Sequence, residues 1–370
     1  MTTPQVKQQK YQNRMKFYQK ICLAALATTA TLAALTKGPN RNVNDMETLA
    51  KTLYPGHTTK VSEMKTETES WRIDGDKVVL LPEEIDLFHK QGYITLPPIL
   101  SPTELQDIRD EYNKFLTKEK TVPGRDFGDM SVSFDTPVEE YNMLNVLLPR
   151  HYYPDWKNNL YERRAKSISD QLYNSNLAID YDQILAKLPG KANGKFVWHQ
   201  DMGYWPDPSD DKGRPTTTAT VSLALNDAVV ENGCLVVVGG SGVTKRDSIR
   251  KHKPLMSKKE VPHSENENIG KTDGVAVAEN HALVVTLDQE DQVTFLPVAA
   301  GGVTVHDEWI LHGSGGNHDK ENWRHTYVLA YREPTMIEWE RSLGEEGFRH
   351  SHNDKFQWDS FKKENLQHEL

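Results

Sequence analysis

His199 and Asp201 stand two apart in Trp198-His199-Gln200-Asp201, and a second histidine, His312, stands far later in Leu311-His312-Gly313-Ser314-Gly315-Gly316-Asn317. Side chains two apart on a strand point to the same face. An imidazole and a carboxylate placed so can grip one cation from one side. A second imidazole from a distant strand would complete a facial set of three ligands and leave three positions open. That donor set suits a non-heme ferrous ion that must still take dioxygen and a co-substrate. Arg324 carries the planar fork that holds a carboxylate bidentately. Metal set and carboxylate clamp together point to oxidation of one molecule at the expense of a 2-oxo acid. His306 also follows a strand-like run, six residues before His312, and is a rival third ligand.

These residues need strands to carry them. Residues 93–96, 218–225, 235–238, 283–286, 294–296, 303–305 and 327–331 are short β-branched and apolar runs bounded by turn residues. The run at 235–238 follows a Glu231-Asn232-Gly233 turn and stops at Gly239-Gly240. Ahead of them, residues 81–92 predict a short helix ended by Gly92. Ser101-Pro102-Thr103-Glu104 opens a second one: Ser as cap, Pro in the first turn, Glu closing a capping box. Leu105, Ile108, Tyr112, Phe115 and Leu116 follow at helical spacing and are read as packing residues. The sum is a mostly β chain with a helical front end, a double-sheet barrel or jelly roll backed by α-helices. Residues 241–275 are charged and turn-rich and are read as one long loop.

Across 370 residues the formal net charge is −9, and no basic stripe runs through the body, which argues against nucleic acid as a partner. Cys22 and Cys234 are the only cysteines and make no disulfide framework. The first 44 residues differ from the rest. They hold Lys7, Lys10, Arg14, Lys16 and Lys20 and no acidic residue, and residues 21–35 are an uncharged Ala/Leu/Thr run. That run is shorter than the roughly 20 residues a membrane span needs. It reads as a targeting or anchor segment, with membrane association through residues 21–35 and an organelle or endomembrane as the destination. The terminal Gln-His-Glu-Leu only loosely resembles an ER-retention tetrapeptide. The expected division is 1–44 targeting segment, 45–80 linker, 81–340 oxygenase domain and 341–370 polar tail.

Four stretches together resemble the phytanoyl-CoA hydroxylase (dioxygenase) family of Fe(II)/2-oxoglutarate-dependent oxygenases. They are Gln183 to Gly190 as the lead-in, Trp198 to Asp201 as the metal motif, Glu231 to Val238 as an Asn-Gly-Cys-Leu turn and strand, and Leu311 to Asn317 with Arg324. The resemblance spans roughly residues 82–335. It implies a double-stranded β-helix (jelly-roll, cupin-like) core. It implies His199, Asp201 and His312 as iron ligands, and Arg324, Ser314 and Lys187 as the residues that hold 2-oxoglutarate. Fe(II), 2-oxoglutarate and O2 would then hydroxylate, or otherwise oxidise, a C–H bond of a small organic substrate and release succinate and CO2. Related halogenases lack the carboxylate that Asp201 supplies, so its presence implies hydroxylation or a like oxidation. The substrate class stays open between acyl-CoA, lipid and amino-acid-like molecules. Ring closure or desaturation by the same chemistry, zinc-dependent hydrolysis, and a non-catalytic jelly-roll binding protein are the competing readings. One departure stands out: the family's Pro-Gly-Ser/Thr-His after the Asn-Gly-Cys strand is Gly239-Gly240-Ser241-Gly242 here, so that histidine is missing. His318 and His325 flank Arg324 and are read as surface or supporting residues, and Gln200 as structural.

Overall fold

A computed structural model describes residues 43–67, 70–122, 126–129, 131–132, 136–204, 217–241, 253–254 and 283–342. The basic segment with residues 21–35, most of the loop expected over 241–275 and the tail beyond Ser342 lie outside the described residues. Among the described residues no helix is long and apolar enough to cross a membrane.

In chain order the front of the structure holds α1 (Val43–Leu53), β1 (Thr58–Val61), β2 (Ile73–Asp74), β3 (Lys77–Val78), α2 (Pro82–Gln91), β4 (Tyr93–Leu96) and α3 (Pro102–Leu116). Next come β5 (Phe127–Gly128), β6 (Met143–Leu147), α4 (Pro149–Tyr152), α5 (Leu160–Tyr173), β7 (Ala178–Lys187) and β8 (Phe196–His199). The rest is β9 (Thr218–Ala224), β10 (Leu235–Val238), β11 (Lys253–Pro254), β12 (Leu283–Val284), β13 (Gln292–Leu296), β14 (Val303–His306), β15 (Leu311–Ser314), β16 (Arg324–Arg332) and α6 (Pro334–Ser342). A seven-stranded sheet runs β4-β14-β9-β16-β7-β6-β5, and a five-stranded sheet runs β1-β13-β10-β15-β8. Every pair in the two sheets is antiparallel except β1 with β13. This is the expected jelly roll, two sheets with the nested pairs β9–β14 and β10–β13 and helices behind them.

Alternation along the strands builds the larger sheet's two faces. Ala219, Val221 and Leu223 of β9, Val303 and Val305 of β14 and Tyr327, Leu329 and Tyr331 of β16 form one core with Leu105, Ile108, Tyr112 and Phe115 of α3 and Tyr161, Ala165 and Ile168 of α5. Each such side chain contributes roughly 1.5–3 kcal/mol when fully buried, far more than helix propensity supplies, so packing holds the helices. The opposite face of the same strands, carrying Thr218, Thr220, Ser222, Thr304 and Thr326, turns toward the smaller sheet.

The helical front end forms as expected. Ser101 caps α3 by accepting from the Glu104 N–H at 3.3 Å, and Glu104 Oε2 accepts from the Ser101 N–H at 2.8 Å. The same carboxylate takes both guanidinium nitrogens of Arg164 on α5, at 2.8 and 2.9 Å. Hydrogen bonding from Arg164 holds the Glu104 carboxyl down at about 2. A depressed folded-state value means stability that is present above the unfolded value and is lost as acid protonates the group. Glu104→Gln therefore flattens the fall in unfolding free energy as pH drops from about 4.5 toward 2. Urea melts across that range measure it, and an unchanged slope counts against the pair.

The stretch 45–80, expected as a linker, carries α1, β1, β2 and β3 among its described residues. Met46, Leu49, Ala50 and Leu53 recur at helical spacing amid Thr, Lys and Glu, and they place α1 on the outer face of the smaller sheet. That face consists of Trp198, Val236, Val238, Val293, Phe295 and Leu311. Tyr54 meets Trp198 and Phe295 edge-on at 5.8 and 5.6 Å. β1 then joins β13 in parallel. The segment's polar composition hid one short apolar stripe. At the other end, α6 is held where Arg332 forks onto Glu340, both contacts at 2.6 Å, and onto Asp180 at 3.0 Å.

Candidate metal centre

The smaller sheet brings the two distant histidines together: His199 at the end of β8 pairs with His312 on β15. Their ring centroids lie 4.2 Å apart. Asp201 is not on the strand, as the two-apart spacing assumed. β8 stops at His199, and Asp201 opens a single 3-10 turn, Asp201–Tyr204. The turn still delivers the carboxylate to the same side. Asp201 Oδ1 is 3.5 Å from His199 Nε2 and 3.6 Å from His312 Nε2. One ligand atom from each of the three residues lies within 4.8 Å of the others.

The two imidazoles are oriented by backbone carbonyls. His199 Nδ1 meets Val197 O at 2.7 Å, and His312 Nδ1 meets Ile310 O at 3.0 Å. A carbonyl only accepts, so both rings carry their proton on Nδ1 and present a bare Nε2 lone pair toward Asp201. Burial pushes the Asp201 carboxyl up, but His312, His199 and His306 around it outweigh that and hold it well below the usual carboxylate range. Burial, then the neighbouring imidazoles, push His312 well below its ordinary value. An ionised carboxylate and neutral imidazoles are the protonation states a metal requires.

Glycines let the last motif approach its neighbours. A Cβ on Gly316 would fall on the Ala192 backbone, and one on Gly233 on the Gly315 carbonyl. Gly233 also holds φ at +79°, where a side chain is strained. Where the family's extra histidine is absent, Ser241 Oγ accepts from the Leu311 N–H at 2.8 Å, beside His312. Gln200 is buried and donates to Trp309 O at 2.5 Å, a structural role as read. His325 stacks on Tyr112 and Trp323, on the helix side of the sheet.

A second cluster lies along from Ser314. Arg324 on β16 pairs in register with Lys187 on β7, and both are buried. Lys187 Nζ donates to Ser314 Oγ at 2.7 Å and to Gly315 O. Ser314 is thus tied to Lys187 and not to Arg324. Burial, and then the Arg324 charge, push the Lys187 ammonium well below its ordinary range. Nε and Nη1 of Arg324 have no hydrogen-bond partner, and among the described residues no ion pair joins Arg324 or Lys187 to a carboxylate. A buried guanidinium with unsatisfied donors, beside a buried lysine, forms a site for an anion.

Thr220, a residue with no motif around it, also reaches the site: its Oγ1 donates to Asp201 Oδ2 at 3.2 Å. The signal was the alternating hydroxyls Thr218, Thr220 and Ser222, which look like an ordinary buried strand until their partner is known. His306, weighed as a rival ligand, lies beside the cluster on β14, with Nε2 3.5 Å from Asp201 Oδ2.

A family model described as phytanoyl-CoA dioxygenase (PhyH) matches residues 88–326. The chain belongs to that family. Within it, the chain is 28 % identical over 236 residues to an ectoine dioxygenase of Halomonas elongata, covering 63 % of this chain and 64 % of that protein. It is 23 % identical over 191 residues to a phytanoyl-CoA dioxygenase of Arabidopsis thaliana, covering 44 % of this chain and 65 % of that one. The chain therefore spans just under two thirds of the length of these two relatives. Among solved structures it is similar to EvdO2 from Micromonospora carbonacea var. aurantiaca complexed with 2-oxoglutarate, at 21 % identity, 68 % of this chain, 91 % of that chain and a TM-score of 0.48. The PhyH match takes in the metal cluster and the Arg324–Lys187 pair but stops short of α1 and β1.

Proposed function

We propose that the chain is an Fe(II)- and 2-oxoglutarate-dependent oxygenase that oxidises a C–H bond of a small polar molecule and releases succinate and CO2. The observation that carries this reading is the pairing of two half-sites. A two-histidine, one-carboxylate cluster stands on β8, the turn after it and β15, and β15 leads through Ser314 to Lys187, the strand partner of the buried Arg324, whose Nε and Nη1 have no hydrogen-bond partner. The donor chemistry fits the ion: two neutral Nε2 atoms and one carboxylate oxygen on one side.

His199, His312 and Asp201 Oδ1 hold the ferrous ion, and the Val197 and Ile310 carbonyls keep both rings turned toward it. Arg324 neutralises the far carboxylate of 2-oxoglutarate, with Lys187 and Ser314 beside it as further donors. The bound iron supplies the activation of dioxygen that couples decarboxylation of the 2-oxo acid to oxidation of the substrate. The surrounding residues exclude water: His312, Ser314, Lys187 and Arg324 are all buried. Ser222, Thr304 and Thr326, on the face of the larger sheet that also carries Thr220, favour a polar, amino-acid-like substrate over an acyl chain. A succinate-release screen with Fe(II), 2-oxoglutarate and O2 over polar amines and amino acids, acyl-CoAs and lipids tests the reading. Iron-dependent succinate formation, stimulated by a polar member, is the expected result. Turnover of substrate without O2 and 2-oxoglutarate overturns it.

A further inference from the structure

Asp201 has two oxygens, and the structure treats them differently. Oδ1 faces the bare Nε2 atoms of His199 and His312. Oδ2 faces away from them, toward the larger sheet, where Thr220 Oγ1 donates to it at 3.2 Å and His306 Nε2 stands 3.5 Å off. Thr220 and His306 are direct cross-strand partners on β9 and β14. Neighbours of that kind act on one target together. They form a two-pronged holder, built into the rigid sheet opposite the metal motif.

His306 is buried, at 3 % exposure, and its ring packs 4.3 Å from that of His312. It nevertheless differs from the two ligand histidines. Their Nδ1 atoms are fixed on backbone carbonyls, which bares Nε2. Neither His306 nitrogen makes a hydrogen bond among the described residues. Its Nε2 faces Asp201 Oδ2, a carboxylate oxygen, which accepts and cannot donate, so the proton belongs on Nε2. A ring protonated on the nitrogen that faces the site is a donor and not a metal ligand. Consistently, the ligand atoms that lie within 4.8 Å of one another come from His199, Asp201 and His312, and His306 is outside that set.

We propose that His306 is a positioning residue for Asp201: its Nε2–H, with the Thr220 hydroxyl, claims Oδ2 and leaves Oδ1 alone to face the metal. The inference rests on the functional reading above. A carboxylate free to swing could bind through both oxygens and occupy a position that dioxygen or the 2-oxo acid needs. Held at Oδ2, it binds through one. The present 3.5 Å separation closes to a full hydrogen bond by a shift of about half an ångström, and contacts of this kind commonly tighten when the site fills.

The test is calorimetric titration of the full chain with Mn(II), and with Fe(II) under anaerobic conditions. His306→Phe keeps a flat ring in the cavity and removes the donor, and it binds metal about 10–100-fold more weakly, the range expected when a partner of a metal ligand is lost. His306→Gln restores a side-chain N–H and recovers most of that loss, which a purely packing role would not produce. Should Phe disturb the fold, as judged by thermal unfolding of the metal-free protein, His306→Leu shows the same loss. Affinity of a folded Phe or Leu variant equal to that of the parent overturns the proposal. A second readout is proton NMR of the Co(II)-loaded chain. The exchangeable, strongly shifted imidazole N–H signals of His199 and His312, those bonded to Val197 O and Ile310 O, both survive His306→Phe, and their loss from a folded variant that still binds Co(II) overturns the proposal. A parent chain that binds none of these metals overturns the functional reading itself, and this inference falls with it.

Discussion

Asp201→Ala leaves a folded chain that neither holds iron nor releases succinate. Oδ1 is the atom both Nε2 lone pairs face, at 3.5 and 3.6 Å, and it is the one negative charge in the cluster. Without it, two neutral imidazoles remain to hold a dication against water. Losing a bound metal forfeits several kcal/mol of charge stabilisation, so turnover falls by at least about 10³-fold. His199→Ala has the same outcome, because one imidazole and one carboxylate no longer define a facial set. The measurement is succinate formation beside a metal titration on each purified variant. Parent-like turnover in either variant removes the reading of this cluster as an iron site.

Arg324→Met damages a different quantity. The guanidinium is buried and has donors to spare, so its value lies in the carboxylate it meets. Truncating one partner of a buried, hydrogen-bonded charge pair costs about 2–5 kcal/mol. The 2-oxoglutarate concentration at half-saturation then rises by roughly 30- to 5,000-fold, while metal affinity holds. Arg324→Lys recovers part of the loss, since an ammonium restores charge but not the fork. Lys187 remains in the Met variant and prevents complete loss. A Met variant with an unshifted half-saturation point shows that the far carboxylate sits elsewhere.

The parts of this fold most legible in the sequence follow a simple period. β4 and β10 lie where their β-branched runs stand, and α3 starts at the Ser101 cap that its capping box announces. The spacing of His199 and Asp201 marks them as a pair, although the chain makes a turn at Asp201 where a strand was expected. Arg324 was readable from its chemistry. What failed to show had no local signal. α1 carries one apolar stripe inside a polar stretch, and only the exposed outer face of a sheet formed by much later residues gives that stripe a purpose. Thr220 looks like an unremarkable strand residue and His306 reads only as a rival ligand, because their place beside Asp201 depends on which residue lies across the barrel. The hydrogen bond between Ser314 and Lys187 had no local signal either, because the two residues lie on different sheets.

The pairing of β1 with β13 has a consequence for how the chain reaches its native state. Thr58 meets Gln292, and Tyr54 closes over Trp198 and Phe295, so the earliest described strand waits for one of the latest. Loop closure over such a separation is an entropic cost that must be met before the contacts reward it, which slows folding. Until then the tryptophan beside the iron motif and its aliphatic neighbours stand open to water, a surface that a chaperone or another nascent chain can seize.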